Sequence, residues 1–338
     1  MPKLTVGLVG AGLISGDHAT SLSLIRDVGQ LTIYDIAPDR ASALAAKHGA
    51  VTASSLDVLI DSCDLIWIAT PPAFHKPVVA AACNRGKAIF CEKPLAHTAT
   101  DARAICRLVK NAGVPFFMGH SGRWGRPFQN MVQLVANGTL GEPTLVWSTR
   151  RGYLERSSPA AAPWRFTDTD SGGVVVELGV HEIDFIQWAG GDWQSAAALG
   201  TSKTLAPGKY QDSVVALGQL AGGAAAQLNL SWADPHYLWQ RGVSGTEGSL
   251  SWCDSAYSDI VHHRPGKAPR IVKSGDWLHP KTGENLSIRE QNRGVVRSLI
   301  NGQDFPIAID DGVAAIEAAT AIYKSTLSGR TTKPKQRS

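Results

Sequence analysis

Short apolar segments alternate with longer amphipathic segments over the first 120 residues of the chain. The short segments are bounded by glycine, proline or polar residues, a pattern typical of strands buried on both faces of a parallel sheet. The longer segments have apolar residues at helical spacing. We predict strands at 4–9, 31–34, 64–69, 88–91 and 115–118, a helix of about three turns ending at Asp27, and helices at 38–48, 73–85 and 101–112. This alternation predicts a doubly wound parallel sheet.

Beyond residue 121, apolar and polar positions alternate with a period of two in several segments. Residues 144–150, 214–220 and 224–232 are predicted strands, and the last two form a hairpin around a glycine-rich turn. In 224–232 one face is apolar and the other is small and polar. Residues 314–325 are predicted to form a final helix. We therefore predict an α/β chain with a first domain at 1–120 and a second, α+β domain at 121–330.

Composition narrows the class of protein. A chain of 338 residues is long enough for two domains, and its net charge of +4 is carried by four basic residues after Gly329. Without them basic and acidic residues are equal in number, so we expect no nucleic-acid partner. We expect residues 331–338 to be a disordered basic tail.

Five cysteines without a Cys-x-x-Cys pair favour a reducing compartment and no metal site. With no signal peptide and no membrane-spanning run, we expect a cytoplasmic protein without a membrane partner.

A glycine-rich turn follows the first predicted strand. Gly10 and Gly12, with Leu13 and Ile14 after them, would aim backbone N–H groups and a helix N-terminus at a pyrophosphate. Serine stands at the third glycine position of the dinucleotide-binding pattern, where a small residue is tolerated. Asp35 ends the second strand at the spacing expected for the acid that binds the adenosine ribose. Its charge would repel a 2′-phosphate, so NAD is favoured over NADP, although the nearby arginine at position 40 moderates that preference. The alternative is a solvated strand end.

Two further strand ends carry polar residues where ligands bind in such sheets. Thr70 and Pro71 follow the strand 64–69, with His75 just beyond them. Glu92 and Lys93 follow the strand 88–91. A lysine directly after a buried strand and before a proline is an awkward position for a merely solvated side chain. We expect His75 and Glu92 to shape a cofactor site, and Lys93 to stabilise negative charge on a substrate oxygen.

The segment from Ser171 to Asp184 begins near two glycines and is predicted to be helical. Glu177, His181 and Asp184 stand at i, i+4 and i+7 and so share one helical face. A carboxylate one turn before a histidine can orient the imidazole and stabilise its charged form, which makes His181 a candidate general base. Asp184 is a candidate for binding substrate or for fixing the helix. The alternative is a packed helix with a solvated polar face.

Several motifs occur together along nearly the whole chain: Gly10-x-Gly12 with His18, Thr70-Pro71 with His75, Glu92-Lys93-Pro94, Trp164-Arg165, and Gly172-Gly173 with Glu177, His181 and Asp184. In this combination the chain resembles the glucose–fructose oxidoreductase / inositol dehydrogenase / rhizopine-catabolism (Gfo/Idh/MocA) family. The resemblance implies an N-terminal Rossmann domain, a second domain with an open, mostly antiparallel sheet, and a homodimer or homotetramer paired through that sheet. The alternative for the polar face of 224–232 is exposure to solvent. The family's inositol dehydrogenases usually have aspartate where this chain has Glu177.

The motifs and the resemblance together give a set of candidate site residues. The cofactor-binding candidates are Gly10, Gly12, Leu13, Ile14, Asp35, Thr70, Pro71, His75, Glu92, Lys93, Trp164 and Arg165. The catalytic candidates are Lys93, His181 and Glu177, and the substrate-binding candidates are Lys93, Asp184 and His181. We therefore expect an NAD-dependent oxidoreductase that acts on a secondary hydroxyl of a sugar, inositol or related polyol. The alternatives are an NAD-dependent glycosidase that uses transient oxidation and a non-catalytic cofactor-binding sensor or scaffold.

Overall fold

The computed structural model describes residues 3–155, 163–166, 172–204, 211–254, 259–276, 278–279 and 284–337. The chain divides into two compact units. The first comprises Met1–Ser121 and Gly283–Val313, and the second comprises Gly122–Thr282 and Ala314–Ser338. The predicted division at residue 120 assigned everything beyond it to the second domain, whereas residues 283–313 return to the first unit.

The first unit is built on a six-stranded parallel sheet. Its strands are β1 Leu4–Val9, β2 Val28–Tyr34, β3 Val51–Thr52, β4 Leu65–Ile68, β5 Ala88–Glu92 and β6 Phe116–Gly119. They lie in the order β3-β2-β1-β4-β5-β6. Its first five helices are α1 Leu13–Ser23, α2 Pro38–His48, α3 Leu56–Ser62, α4 His75–Cys83 and α5 Ala99–Ala112. The order reverses at β1, which confirms the predicted doubly wound parallel sheet; β3 and α3 were not predicted.

Apolar side chains on both faces of this sheet explain why its strands are short and uninterrupted. All four residues of β4 are buried, and Trp67 stacks on Phe90 of the neighbouring strand with ring centroids 3.8 Å apart. Burying each such side chain contributes roughly 1.5–3 kcal/mol. Parallel strands covered on both faces favour apolar residues at most positions, and this preference produces the apolar runs of the sequence.

The described part of the second unit contains an eight-stranded sheet and three complete helices, together with the larger part of the final helix, Ile309–Ser328. The helices are α6 Arg126–Ala136, α7 Gly173–Glu177 and α8 Gly179–Gly190. The strands are β7 Pro143–Tyr153, β8 Trp193–Thr201, β9 Ser213–Leu220, β10 Ala225–Ser231, β11 Ala233–Gly245, β12 Ser249–Cys253, β13 Ile260–His263 and β14 Arg270–Val272. They lie in the order β14-β13-β12-β11-β7-β10-β9-β8. Among the described strands of this sheet, β7 and β10 alone pair in parallel, so the expected mostly antiparallel sheet is confirmed, as is the β9–β10 hairpin.

Two helices complete the described chain. Helix α9, Leu286–Asn301, packs against α1 in the first unit, where Val295 and Val296 join the core of the parallel sheet. Helix α10, Ile309–Ser328, is longer than the predicted segment 314–325. No helix in the part of the chain that the structure describes is both long enough and apolar enough to cross a lipid bilayer.

The end of the chain corrects one prediction. Residues 331–337, expected to be disordered, lie along strand β8: Thr332 forms an antiparallel bridge with Ala196. Gln336 donates a hydrogen bond of 3.1 Å to the backbone oxygen of Trp193, and Arg337 binds Asp192 at 2.6 Å. The physical reason is the position of β8 at the edge of its sheet, where backbone groups are available for pairing with another segment.

Candidate active site

The glycine turn between β1 and α1 has the geometry of an anion site. Gly10 has a φ of +100°, and a Cβ there would lie 2.8 Å from the backbone oxygen of Ala69. Gly12 precedes the helix and has no side chain to cap it. Apart from Gly12 and its two chain neighbours, no described residue outside the backbone of α1 comes within 4 Å of the position that a Cβ would take at Gly12. The first N–H groups of α1 are therefore accessible to a pyrophosphate, beside the exposed Leu13 and half-buried Ile14.

Asp35 lies at the end of β2, where the sequence places the ribose-binding acid. Its carboxylate accepts hydrogen bonds of 2.8 Å from the backbone N–H groups of Ala11 and Ala37. It also binds the Arg40 guanidinium at 2.8 Å. These contacts connect the end of the second strand to the glycine turn, so Asp35 supports the shape of that turn as well as supplying charge beside it.

His75 joins two loops at the ends of β4 and β5. The side chain is fully buried, with Nε2 2.9 Å from the backbone oxygen of Thr70 and Nδ1 3.1 Å from that of Leu95. Pro71 follows Thr70 and leads into a short 3₁₀ turn. The buried Thr70 hydroxyl has no hydrogen-bond partner among the described residues, and it retains bonding capacity for a ligand. This orphaned hydroxyl and the open helix N-terminus fit an NAD molecule.

Glu92 and Lys93 follow directly at the end of β5. The Glu92 carboxylate is buried; one oxygen lies 2.9 Å from Nε2 of His18 and the other accepts the Lys93 backbone N–H at 2.9 Å. Burial is the largest influence on the Glu92 pKa and raises it, but the hydrogen bond and charge of His18 and the charge of Lys93 together lower it below its ordinary value. Lys93 itself is half-buried.

The segment around His181 differs from the single predicted helix. Helix α7 ends at Glu177 and α8 begins at Gly179, with Leu178 forming a turn between them. A Cβ at Gly179 would lie 2.6 Å from a methyl group of Leu230, so the turn approaches β10 closely. Ser171 lies outside the described residues. Glu177 and His181 thus stand at the end of one helix and in the first turn of the next.

Arginine side chains bind both predicted carboxylates of this segment. Arg165 donates to Glu177 at 3.0 Å, and its guanidinium carbon lies 5.1 Å from the ring centroid of Trp164. Arg123 binds both oxygens of Asp184, with its shortest contact at 2.7 Å. The buried Asp184 carboxylate is therefore held in a bidentate pair. Arg123 was not predicted from the sequence because it lies 61 positions before its partner.

A buried carboxylate next to His181 was also missed. Glu182 is fully buried and accepts hydrogen bonds from Arg241 at 2.8 Å, Ser148 at 2.6 Å, Trp239 at 3.2 Å and Arg150 at 3.3 Å. Burial is the largest influence on its pKa and raises it, but the two arginine charges and the hydrogen bonds outweigh burial and leave the pKa lowered. All four donors come from β7 and β11, so this cluster ties α8 to the sheet.

Arg241 extends the Glu182 cluster to the backbone of the candidate base. Its Nη2 donates to the backbone oxygen of His181 at 3.4 Å, and its guanidinium packs over Phe128 and Phe185 at 4.1 and 4.7 Å. A planar, always charged guanidinium suits such a stacked and paired position. The Arg241 side chain therefore holds the first turn of α8 in place, in addition to the backbone hydrogen bonds of the helix.

The glycine turn, the acid at the end of β2 and the polar strand ends place the chain among the nicotinamide-dependent oxidoreductases. A model of the oxidoreductase family with an NAD-binding Rossmann fold matches residues 4–120, and the GFO/IDH/MocA C-terminal domain model matches residues 128–251. The chain belongs to the Gfo/Idh/MocA family of oxidoreductases, and its first domain is an NAD-binding Rossmann domain.

Similarity to characterised proteins extends along the whole chain. An inositol 2-dehydrogenase of Rhizobium meliloti (strain 1021) is 28% identical over 337 residues, covering 96% of this chain and 97% of that protein. A myo-inositol 2-dehydrogenase of Thermotoga maritima is 28% identical over 338 residues, covering 98% of each. A structure of levoglucosan dehydrogenase in complex with NADH has a TM-score of 0.89 at 20% identity, covering 99% of this chain and 100% of that one. At that identity the structural match concerns the fold.

Proposed function

We propose that this dehydrogenase oxidises a secondary hydroxyl group of a sugar, an inositol or a related polyol, with NAD preferred over NADP. The observation that carries the proposal is that Lys93 follows β5 and His181 stands on α8 in a chain similar over its whole length to two inositol dehydrogenases. Lysine and histidine supply the positive charge and the base that alcohol oxidation needs.

In this proposal each residue has a separate task. His181 accepts the proton of the substrate hydroxyl, and the Lys93 ammonium stabilises the negative charge that develops on the substrate oxygen. NAD, when bound, supplies the hydride acceptor. Trp164 and Arg165 are proposed to contact the nicotinamide side of the cofactor.

The two arginine-bound carboxylates have supporting tasks. Because Glu177 is paired with Arg165, part of its charge is already balanced, so its effect on the His181 imidazole is proposed to be modest. We propose that Asp184 fixes the orientation of Arg123 by bidentate binding, and that Arg123 in turn faces the substrate.

A panel of sugars, inositols and other polyols with NAD tests the function directly. Nicotinamide absorbance should increase with at least one compound, and Lys93→Met should remove that increase while NAD binding persists. Absence of turnover on every polyol, by a wild-type protein shown to bind NAD, would contradict the proposal.

The same panel separates the two alternatives. A glycosidase that uses transient oxidation would cleave a glycoside without net accumulation of NADH. A sensor or scaffold would bind NAD and ligands but release no product from either kind of substrate. Glycosides with a chromogenic leaving group should therefore be included in the panel.

A further inference from the structure

A series of buried, hydrogen-bonded side chains ends at the backbone N–H of Lys93. It begins at Asn292 on α9, whose Oδ1 lies 3.2 Å from Nδ1 of His18 on α1. Nε2 of His18 lies 2.9 Å from Oε1 of Glu92, and Oε2 of Glu92 accepts the Lys93 N–H at 2.9 Å. His18 and Asn292 are fully buried and Glu92 is 5% exposed. All four residues belong to the first unit.

The Glu92 carboxylate and the His18 ring use both of their polar ends inside the protein, whereas Nδ2 of Asn292 has no hydrogen-bond partner among the described residues. Each Glu92 oxygen has a partner, which favours an internal role over direct contact with the cofactor. Both ring nitrogens of His18 lie within hydrogen-bonding distance of oxygen atoms, Oδ1 of Asn292 and Oε1 of Glu92. Trp67 and Phe90 pack edge-on against the imidazole at 5.2 and 5.5 Å, so the ring is fixed in position as well as bonded.

We propose that His18 and Asn292 are positioning residues for Lys93 and act on it through the buried carboxylate of Glu92. The inference rests on the proposed function, since it takes Lys93 as the group that meets the substrate oxygen. The Lys93 side chain starts from a backbone that Glu92 anchors, so displacement of Glu92 moves the starting point of the ammonium group. A misplacement of 1 Å at a reacting centre can cost about 100-fold in rate.

The charged groups around Glu92 determine how removal of His18 changes the pKa of the Glu92 carboxyl group. His18 and Asp17 face it from α1, Cys91 and Lys93 belong to its own strand end, and α9 contributes the neutral Asn292. His18 lowers the pKa of Glu92 by hydrogen bonding and charge. Without His18, burial is opposed by Lys93 and no longer by the histidine, so the pKa of Glu92 rises and the carboxylate is protonated at a higher pH than in wild type. Lys93 then loses its charged hydrogen-bond acceptor.

His18→Leu is therefore expected to lower kcat about 10- to 100-fold while the Kd for NAD stays within about threefold. Its kcat should also fall at higher pH than in wild type, because Glu92 takes up a proton earlier. His18→Gln retains a donor for Glu92 and should recover part of the rate. Asn292→Leu should act in the same direction with a smaller effect, since it loosens the ring without removing it.

The Glu92→Gln background makes the pH readout specific. Glutamine does not ionise in this range, so His18→Leu should shift the acidic limb of kcat in the wild-type background and not in Glu92→Gln. Gln291→Leu is the matched control: it replaces a buried amide beside Asn292 that has no hydrogen-bond partner among the described residues, and its profile should match wild type.

A second readout requires neither substrate nor turnover. In protein made with nitrogen-labelled lysine, the Lys93 amide is the resonance that disappears in Lys93→Arg. Its proton should resonate downfield because it bonds to a carboxylate. His18→Leu should move it upfield and Gln291→Leu should leave it in place. This measurement stands even if the polyol panel yields no product, so the two proposals fail separately.

Two outcomes would overturn the positioning role. One is a folded His18→Leu protein whose Lys93 amide shift equals that of wild type. The other is an equal displacement of the acidic limb by His18→Leu in the wild-type and Glu92→Gln backgrounds, which would place the titrating group elsewhere.

Discussion

Asp35 is bound on three sides within the protein, by two backbone N–H groups and by Arg40. Asp35→Ser should weaken NAD binding, because the glycine turn loses its anchor and the ribose loses its acceptor. Relative to NAD, NADP should be favoured, because repulsion of the 2′-phosphate disappears and Arg40 is released from its partner. Fluorescence titrations of both cofactors into wild type and variant measure this. Tighter binding of NADP than of NAD by the wild-type protein would refute the assigned preference.

Lys93 and His181 give the residue-scale prediction for chemistry. Lys93→Met and His181→Ala should each lower turnover by roughly 10²–10⁴-fold and leave NAD affinity nearly unchanged. In the wild type the pKa of Glu92 is lowered below its ordinary value, so the acidic limb of the pH–rate profile for oxidation should report the base, and His181→Ala should flatten it. Losses should not add in the double mutant if the two groups act on one reacting oxygen.

Glu177→Gln serves as the comparison for those two variants. It should cost less, since glutamine can still accept hydrogen bonds and the Arg165 pair already balances part of the glutamate charge. Normal NAD binding with near wild-type oxidation rates in both Lys93→Met and His181→Ala would show that the catalytic assignment is wrong.

Residues with a local signature could be found from the sequence, and residues defined by distant partners could not. Gly10, Gly12 and Asp35 follow a fixed spacing that the backbone of the dinucleotide turn imposes. Asn292 meets His18 across 274 positions, and Arg241 meets Glu182 across 59. Sequence separations this long produce no periodic pattern in the sequence, so these pairs can be recognised only once the fold is known.

At the scale of elements, the Glu182 cluster fixes α8 to β7 and β11. Glu182→Gln leaves the buried Arg241 guanidinium without its counter-charge, so the free energy of unfolding should fall by about 3–5 kcal/mol at neutral pH. Folding lowers the pKa of Glu182 below 4.5. The contribution of its charge is therefore complete above that pH and is lost as the pH falls through the folded-state pKa. Urea unfolding at several pH values should show the difference from wild type narrowing in acid.

Glu290→Gln is the matched control on a partly exposed cluster, since Glu290 binds Arg293 at 3.1 Å and Arg289 at 3.4 Å within α9. Its effect should stay below about 1 kcal/mol. Equal destabilisation by Glu182→Gln and Glu290→Gln would show that the buried cluster contributes no more to stability than the partly exposed cluster on α9.

Strands β9 and β10, whose pattern is uninterrupted, were predicted, whereas β11 and α9, whose patterns are broken, were missed. The hairpin β9–β10 alternates cleanly and has a glycine turn. Strand β11 contains Pro235 and a register irregularity between Ala233 and Leu238, and proline within a run argues against a strand. Helix α9 buries Gln291 and Asn292 beside its apolar residues, which interrupts the apolar stripe that identifies a helix.

At the scale of the whole molecule, one face of the eight-stranded sheet is the surface on which we predict homo-oligomers to form. Register places Leu199, Val215 and Asn229 in one row across β8, β9 and β10, and Leu217 and Gln227 in the next. Leu199 and Leu217 are 79% and 57% exposed. The face is thus more apolar than β10 alone indicated, as expected for a surface that associates.

Sedimentation velocity at micromolar concentration should show a homodimer or homotetramer. Leu217→Glu should shift it toward a monomer with unchanged circular dichroism, because charges on this face would repel across the interface. Leu24→Glu is the control, since it adds the same charge at an exposed leucine in the first unit. A wild-type monomer would contradict the predicted assembly.

The return of residues 283–313 to the first unit has a consequence for how the protein is made. Helix α9 supplies Val295 and Val296 to the same core as Val6 and Leu22. A nascent chain of 121 residues therefore carries all six parallel strands but leaves an apolar side of α1 open to water. Folding of the Rossmann domain is completed only after the segment containing α9 has been synthesised. A gene truncated after residue 121 would encode an aggregation-prone fragment rather than an independently folding NAD-binding domain.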